Sequence, residues 1–495
     1  MAHVVSNSDI LPGAWRFARA LDAAGVDRRG AVAALLPNHV EYLWSYRGAT
    51  WSGRRFTPMS WRWTPEDVDY VVGNCEADAL VAHIQFADAA IAAAHHVSEE
   101  RRFVVGGDIP GFRPFSDIEA FSSDTYEQPL AGVNMIYTSG TTGRPKGVMR
   151  NPPPESPPPT ITCAAGVAMI SAFLPEPDRN GTHLVVGPLY HSGPNTYCDG
   201  SIALGADIVL MEKFDAEEVL RLIEEHQIVS TFMVPTHMVR LLRLPKEVRE
   251  KYDVSSIRLV CHGAAPNAPG TKRQMIDWWG PVLFEFYGAT EGGGCMISSQ
   301  EWLQKPGSVG RPRPDVEMKI VDDAGEEVAA GVEGTVSFAL DDGNPFIYKG
   351  DAEKTQESRV GEGWFSVGDI GYVDEDGYLF LCDRRADVII SGGVNIYPAQ
   401  IEAALLELPI VADCCVVGTP NDDFGEEVCA VVQLCEGANE AEAKAEIATH
   451  CRASLAGYQV PRNIDFDAAL PRTEVGKLAR RTIRARYWEG RERRI

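Results

Sequence analysis

A chain of 495 residues is longer than one hydrophobic core fills, which predicts two or more domains. Its hydrophobic fraction of 45% and charged fraction of 23% are those of a folded globular protein, not of a disordered one. A formal charge of −24 excludes a nucleic-acid partner held on a broad surface, because that needs clustered positive potential.

Residues 1–8 show no basic segment followed by an apolar core, so no secretory signal is expected. Apolar residues recur at helical spacing from Trp15 to Ala24, and residues 31–36 form a short apolar strand ending at Pro37. Helical spacing returns over 39–50, residues 56–58 are strand-like, and Thr64-Pro65-Glu66-Asp67 starts a helix with proline in its first turn. Residues 71–82 finish that helix and add a strand. Such alternation predicts an α/β layer architecture with a largely parallel sheet.

Next, residues 133–136 lead into Tyr137-Thr138-Ser139-Gly140-Thr141-Thr142-Gly143-Arg144-Pro145-Lys146-Gly147-Val148. Glycines let backbone N–H groups converge on an anion, hydroxyls add donors, and Lys146 brings a positive charge. The stretch is built to hold phosphates, yet it is not the GxxxxGK[ST] loop, since no Ser or Thr follows Lys146. Residues 151–159 then hold six prolines out of nine, an exposed polyproline-like excursion. The longest uncharged apolar run, residues 160–175, is too short for the ~20 residues of a membrane span and predicts a buried helix instead. No transmembrane segment is expected.

The α/β alternation resumes through 184–187, 208–211, 216–226, 228–234 and 257–263. From Gly307 the texture changes to short strands separated by Asp/Gly turns, a β-rich subdomain. The charged segment 383–387 then precedes a last unit of strands and helices, with helices at 398–406 and 440–454. The boundary is set there: 1–383 and 384–495. The basic residues between 480 and 494 are expected to cap and solvate a terminal helix. Eleven cysteines without a CxxC pair, two of them the vicinal Cys414-Cys415, fit a reduced, cytoplasmic protein lacking structural disulfides and zinc.

Five segments in this order carry a family resemblance: 137–148; Tyr287-Gly288-Ala289-Thr290-Glu291; Gly363 to Asp369; Asp383-Arg384 with Ser391-Gly392-Gly393 and on to Pro398; and Pro471 to Lys477. Over residues 11–481 the chain resembles the AMP-forming acyl-CoA synthetases of the adenylate-forming superfamily. The resemblance implies a large N-terminal domain of two α/β layers plus the β-rich subdomain, and a small mobile α+β C-terminal domain. It implies ATP, Mg²⁺ and coenzyme A as cofactors or co-substrates, and a small-molecule carboxylic acid as the partner. A carboxylate attacks the α-phosphate of ATP, releasing pyrophosphate, and the CoA thiol then displaces AMP.

Both steps bring anions together, so positioning and charge neutralisation dominate the catalytic task. By resemblance, Thr138, Ser139, Gly140, Thr141, Thr142, Gly143 and Lys146 hold the β- and γ-phosphates. Glu291 is the Mg²⁺ ligand and Thr290 touches the α-phosphate. Tyr287 and Gly288, with Gly263, Ala264 and Ala265, border adenine. Asp369 and Arg384 reach the ribose, and Ser391, Gly392 and Gly393 line the thiol channel. Lys477 is the catalytic lysine, and His191 gates the carboxylate.

Acyl-pocket candidates are residues 195–197, 232–239 and 292–295, where Gly292-Gly293-Gly294 would leave space or backbone in place of a side chain. The family's hinge residue, usually Asp or Lys, falls on Ala386, which moves the hinge to Arg385 or Asp387. Two other functions share this motif set: an adenylating enzyme that loads a carrier protein, and a catalytically silent acyl-adenylate-binding protein. Ser192 stands where amino-acid-activating relatives place Asp, which disfavours amino acids. A homodimer is the commonest assembly for any such chain.

Overall fold

The computed structural model describes residues 2–138, 144–152, 155–340, 345–472 and 478–489. It divides into two compact units, one of residues 1–264, 279–284 and 341–357, the other of 265–278, 285–340 and 358–495.

The first unit is built on parallel sheets. One has six strands in the order Arg113–Pro114, Arg102–Val105, Ala77–His83, Ala31–Leu35, Arg55–Pro58, Val133–Asn134, and every pairing is parallel. Strand Ala31–Leu35 is buried throughout, as a central strand covered on both faces must be. Helix Pro65–Asn74 begins where Thr64 accepts the Asp67 N–H at 3.2 Å, a side-chain cap on an otherwise orphaned donor. A second parallel set, Ile208–Met211, His183–Val185, Ser230–Met233 and Leu259–Gly263, carries Ala2–Val5 antiparallel on its edge.

Helix Ile161–Phe173 spans the apolar run, but only Cys163, Gly166, Met169 and Ile170 are buried. The expected buried helix thus has one covered face, with Ile161 exposed at its start. That face lies close against helix Ser192–Ala203: a Cβ on Gly166 would stand 2.3 Å from the Thr196 carbonyl oxygen. Only a glycine allows this approach.

The second unit is mainly antiparallel. Strands Met318–Val321, Gly334–Ala339, Asp369–Val373 and Leu379–Arg384 form one sheet. Its last part is a small α+β domain in which Gly425–Leu434 pairs antiparallel with Val411–Asn421 and parallel with Asn463–Phe466. Helices Pro398–Leu405 and Glu440–Ser454 contribute Ile401, Leu405, Ala443 and Ile447 to its core. The terminal helix Arg480–Trp488 corrects the expectation of a solvated basic end. Arg480 donates to Glu402 at 2.6 Å and to the Val416 carbonyl, and Arg484 pairs with the buried Glu426 at 2.9 Å. Those arginines tie the helix to the domain.

The architecture is mixed α/β, with a large N-terminal part of several sheets and a small α+β C-terminal domain, as expected. Among the described residues no helix is long and apolar enough to cross a membrane.

Candidate active site

Thr138 ends strand Ile136–Thr138 and pairs across an antiparallel hairpin with Lys146, which starts strand Lys146–Met149. The tip between them is the glycine- and hydroxyl-rich loop; Ser139, Gly140, Thr141, Thr142 and Gly143 lie outside the described residues. The Lys146 side chain is only 10% exposed, with Asp351 Oδ2 4.0 Å away. Burial, with Lys354 adding to it, holds its ammonium below the usual lysine range, while Asp351 pulls the other way. A lysine so placed gains from any phosphate brought beside it.

Strand Leu283–Ala289 and strand Gly292–Ser298 are joined by the two-residue turn Thr290-Glu291. Glu291 is buried although it sits at a turn, a place where a carboxylate needs compensation. The three glycines after it all have positive φ, at +130°, +74° and +146°. Gly293 and Gly294 do not open space of the kind expected, as one of two alternatives, of the three. A Cβ on Gly293 would stand 2.5 Å from the Phe338 ring, and one on Gly294 2.8 Å from Phe286. Backbone conformation and ring packing, rather than room for a ligand, require glycine there.

Tyr287 and Gly288 belong to the same strand, and Tyr287 Oη donates to Asp369 Oδ2 at 2.6 Å. Burial, reinforced by the Asp369 carboxylate, pushes the Tyr287 phenol well above its ordinary range, so its proton stays in this bond. Arg384 Nε lies 3.4 Å from the other Asp369 oxygen, and its side chain is 59% exposed. The structure therefore gathers Tyr287, Asp369 and Arg384 into one cluster with a charged, outward-reaching guanidinium. Below it, Lys272 Nζ donates to Glu285 Oε2 at 2.6 Å, both groups buried, with the ammonium 4.9 Å from the centre of the Trp302 ring. This pair fixes the start of the Tyr287 strand and was missed in the sequence, where Lys272 has the look of an ordinary helix-surface residue.

Gly263 ends a fully buried strand, and Ala264 and Ala265 that follow it are exposed. Ala264 has φ +68°, a left-handed conformation that costs a non-glycine residue roughly 1–2 kcal/mol. Ser391, Gly392 and Gly393 make a tight hairpin: Ser391 pairs with Val394, and both glycines have positive φ, +57° and +82°, as a two-residue type I′ turn needs. Next to the boundary segment, Arg385 donates to Asp323 and Thr335, each at 2.8 Å, and Asp387 lies 3.6 Å from Arg480.

In the first unit His191 stands at the residue before helix Ser192–Ala203, its ring 4.4 Å from that of Tyr190. The loop before it is held by two buried amides, Asn38, which sequence reasoning did not single out, and Asn195, which it named as an acyl-pocket candidate. Asn38 receives the Leu189 N–H at 2.9 Å and donates to the Gly187 and Met211 carbonyls. Tyr42 donates to the Leu189 carbonyl at 2.7 Å, and Asn195 donates to Tyr42 at 2.7 Å. Among the acyl-pocket candidates, Tyr197 and Phe232 meet with ring centres 5.3 Å apart. Lys477 lies outside the described residues.

The structure thus brings Tyr287, Asp369 and Arg384 together and sets Lys146 at the start of a hairpin strand. Residues 9–339 match the AMP-binding enzyme family, and residues 400–477 match the AMP-binding enzyme C-terminal domain. The chain belongs to this family of adenylate-forming, AMP-forming ligases. It is 30% identical over 485 residues to a feruloyl-CoA synthase of Amycolatopsis sp, covering 95% of this chain and 92% of that one. A medium/long-chain-fatty-acid–CoA ligase of Mycobacterium tuberculosis is 28% identical over 497 residues, covering 96% and 84%. Among solved structures, the amide bond synthetase McbA from Marinactinospora thermotolerans superposes with a TM-score of 0.82 at 26% identity, covering 98% and 97%.

Proposed function

We propose that this chain joins a small carboxylic acid to coenzyme A through an acyl-adenylate. The carrying observation is the Tyr287–Asp369–Arg384 cluster. Asp369 presents a carboxylate beside an exposed guanidinium, and its position is held by a phenol that stays protonated. Such an acceptor suits paired sugar hydroxyls, to which an ionised oxygen makes the stronger bonds.

In this reading, ATP lays its ribose on Asp369 and Arg384 and its adenine between Tyr287–Gly288 and the Gly263–Ala265 segment. Its outer phosphates rest in the loop of Thr138, Ser139, Gly140, Thr141, Thr142, Gly143 and Lys146. Glu291 offers the hard carboxylate oxygen that Mg²⁺ takes, and the ion would neutralise phosphate charge when bound. Thr290 reaches the α-phosphate. Lys477 neutralises the charge that builds as a carboxylate oxygen forms its bond to the α-phosphorus and pyrophosphate leaves. In the second step the thiol sulfur bonds to the acyl carbon and the carbon–oxygen bond to AMP breaks, with Ser391, Gly392 and Gly393 lining the approach. His191, held at a helix start, borders the acid.

The eleven unpaired cysteines, ten of them buried, support a reducing, cytoplasmic setting. A homodimer is the expected assembly, to be read by sedimentation. The likeness to an amide bond synthetase adds an amine as a second acceptor to be tested. The deciding experiment measures pyrophosphate release over a panel of aromatic and aliphatic carboxylic acids with CoA, with amines, and with neither, products being identified by mass. Acyl-CoA formation supports the proposal. Amide formation alone would move the acceptor, and no pyrophosphate release with any acid would return the chain to a silent binding role.

A further inference from the structure

At the edge of the six-stranded sheet opposite to where its strands end lies a cavity of about 160 Å³. Four cationic side chains line it, Arg29, Arg55, Arg150 and Lys349, together with the Asn151 amide. The placement follows from the strands. Arg29 stands two residues before Ala31, Arg55 begins its own strand, and Ala31↔Arg55 and Arg55↔Val133 are parallel pairs, so all sit at the N-terminal edge. Arg150 follows Met149 at the base of the hairpin whose tip is the phosphate-loop candidate. It lies beyond a strand about 10 Å long at ~3.3 Å per residue. Ligands of open α/β sheets gather at the carboxyl ends of the strands, so this cavity is separate from that region.

Four cations around so small a space repel one another, in a chain whose formal charge is −24. Lys349 Nζ reaches Glu76 Oε2 at 2.8 Å, a carboxylate whose side chain is 69% exposed and points to solvent. Arg55 uses one amino group on the Cys75 carbonyl at 2.6 Å, while its buried Nε meets no partner among the described residues. A bound oxyanion would relieve the repulsion among these cations. The volume is below the roughly 300 Å³ at which sites for drug-sized ligands begin, which fits a phosphoryl group and not a whole nucleotide.

We infer that this cavity is a second oxyanion site, taking pyrophosphate or the phosphoryl end of a larger molecule. The test is calorimetric titration of the full chain at fixed ionic strength, with pyrophosphate and separately with phenyl phosphate as probes. Four proteins are compared: wild type, the double variant Arg150→Gln/Lys349→Met, Arg29→Gln, and Lys146→Met, which impairs the hairpin tip instead. The expected result is a pyrophosphate-binding event that persists in Lys146→Met and weakens at least tenfold in the double variant. Arg29→Gln, which removes a more exposed member, should weaken it several-fold. Full affinity in both the double variant and Arg29→Gln, or loss of all binding in Lys146→Met, overturns the site. Phenyl phosphate bound with the same variant pattern assigns the phosphoester source; binding of pyrophosphate alone assigns the free anion. Because adenylation plays no part in the readout, failure here is distinct from failure of the ligase reading.

Discussion

Asp369 and Arg384 are register partners across two antiparallel strands, and the Arg384 Nε lies 3.4 Å from Asp369 Oδ1 while Oδ2 accepts the Tyr287 hydroxyl. Pairing in the sheet sets the carboxylate's position, so its orientation does not depend on a loop. If the cluster holds the ribose, Asp369→Asn removes charge from the acceptor and should raise the KM for ATP about 10- to 100-fold, the range of a charge-assisted bond of ~1.5–3 kcal/mol. Tyr287→Phe should give a smaller rise, since it frees one oxygen without removing the charge. Initial rates of pyrophosphate release against ATP concentration check both. An unchanged KM in Asp369→Asn would remove the carboxylate from the ATP site.

Lys477 is assigned only by resemblance, and its two half-reactions can be separated. Lys477→Ala should abolish pyrophosphate release while thioester formation from preformed acyl-adenylate stays largely intact. Single-turnover assays of each step measure this, and an equal fall in both would reassign the lysine.

The glycines after Glu291 give a prediction about shape. Gly293→Ala forces a Cβ into the Phe338 ring at 2.5 Å and imposes a left-handed conformation on alanine. The combined penalty is about 3 kcal/mol, from overpacking of ~1–3 and backbone strain of ~1–2. Denaturant unfolding should show that loss. Because Thr290 and Glu291 form the turn immediately before, adenylation should also fall beyond what stability explains. Gly363→Ala, at a positive φ but with open space around it, isolates the conformational part of the effect.

Local signals made much of the fold legible. Helix Ala216–His226 was readable to the residue because its apolar face is periodic, Asp215 caps it through the Glu218 N–H, and Gln227 ends it in the left-handed region. Ser391, Gly392 and Gly393 were marked by motif alone, and the structure adds that their glycines make a two-residue hairpin turn. What could not be read depends on partners far apart in the chain. Nothing near Arg480 tells that Glu402 and Val416 will bury it, and nothing near Gly293 tells that Phe338 will fill the space above it. The site shows the same division. Motif order pointed to Asp369 and Tyr287, but the proton held between them is a product of burial.

Asp383, beside the boundary segment, carries a pH prediction. It accepts the Arg384 and Ala399 N–H groups at 2.8 and 2.9 Å. Burial nonetheless pushes its carboxyl up to about 6, with Arg480 opposing and Glu402 reinforcing the rise. The folded pKa is above the unfolded value of ~3.9, so the folded state holds the proton more tightly. The stability this contributes is present below pH ~4 and is lost as pH rises through about 6. The margin of wild type over Asp383→Asn should therefore shrink between pH 4 and 7, by about 2 kcal/mol once partial solvent access is allowed for. Urea unfolding of both proteins across that range measures it, and a constant margin would mean that Asp383 stays ionised.

The largest single-residue loss of stability is predicted at Arg47, which lies far in sequence from every motif. Arg47 and Asp199 are both 2% exposed, with the guanidinium donating to Asp199 Oδ1 at 2.8 Å and to its carbonyl at 2.7 Å. The guanidinium also lies 4.5 Å from the Trp51 ring. Arg47→Met strands the Asp199 carboxylate in the interior, which should cost about 3–5 kcal/mol. The double variant Arg47→Met/Asp199→Leu removes both charges and should recover much of that loss, since an apolar pair of similar bulk is often neutral. Asp199 lies in the helix that begins directly after His191. The single variant should therefore weaken acid activation as well, and the double variant should restore stability more fully than activity. Unfolding curves and pyrophosphate-release rates for the four proteins of the cycle give both readouts. Equal stabilities across the cycle would mean that the pair does not anchor the His191 helix.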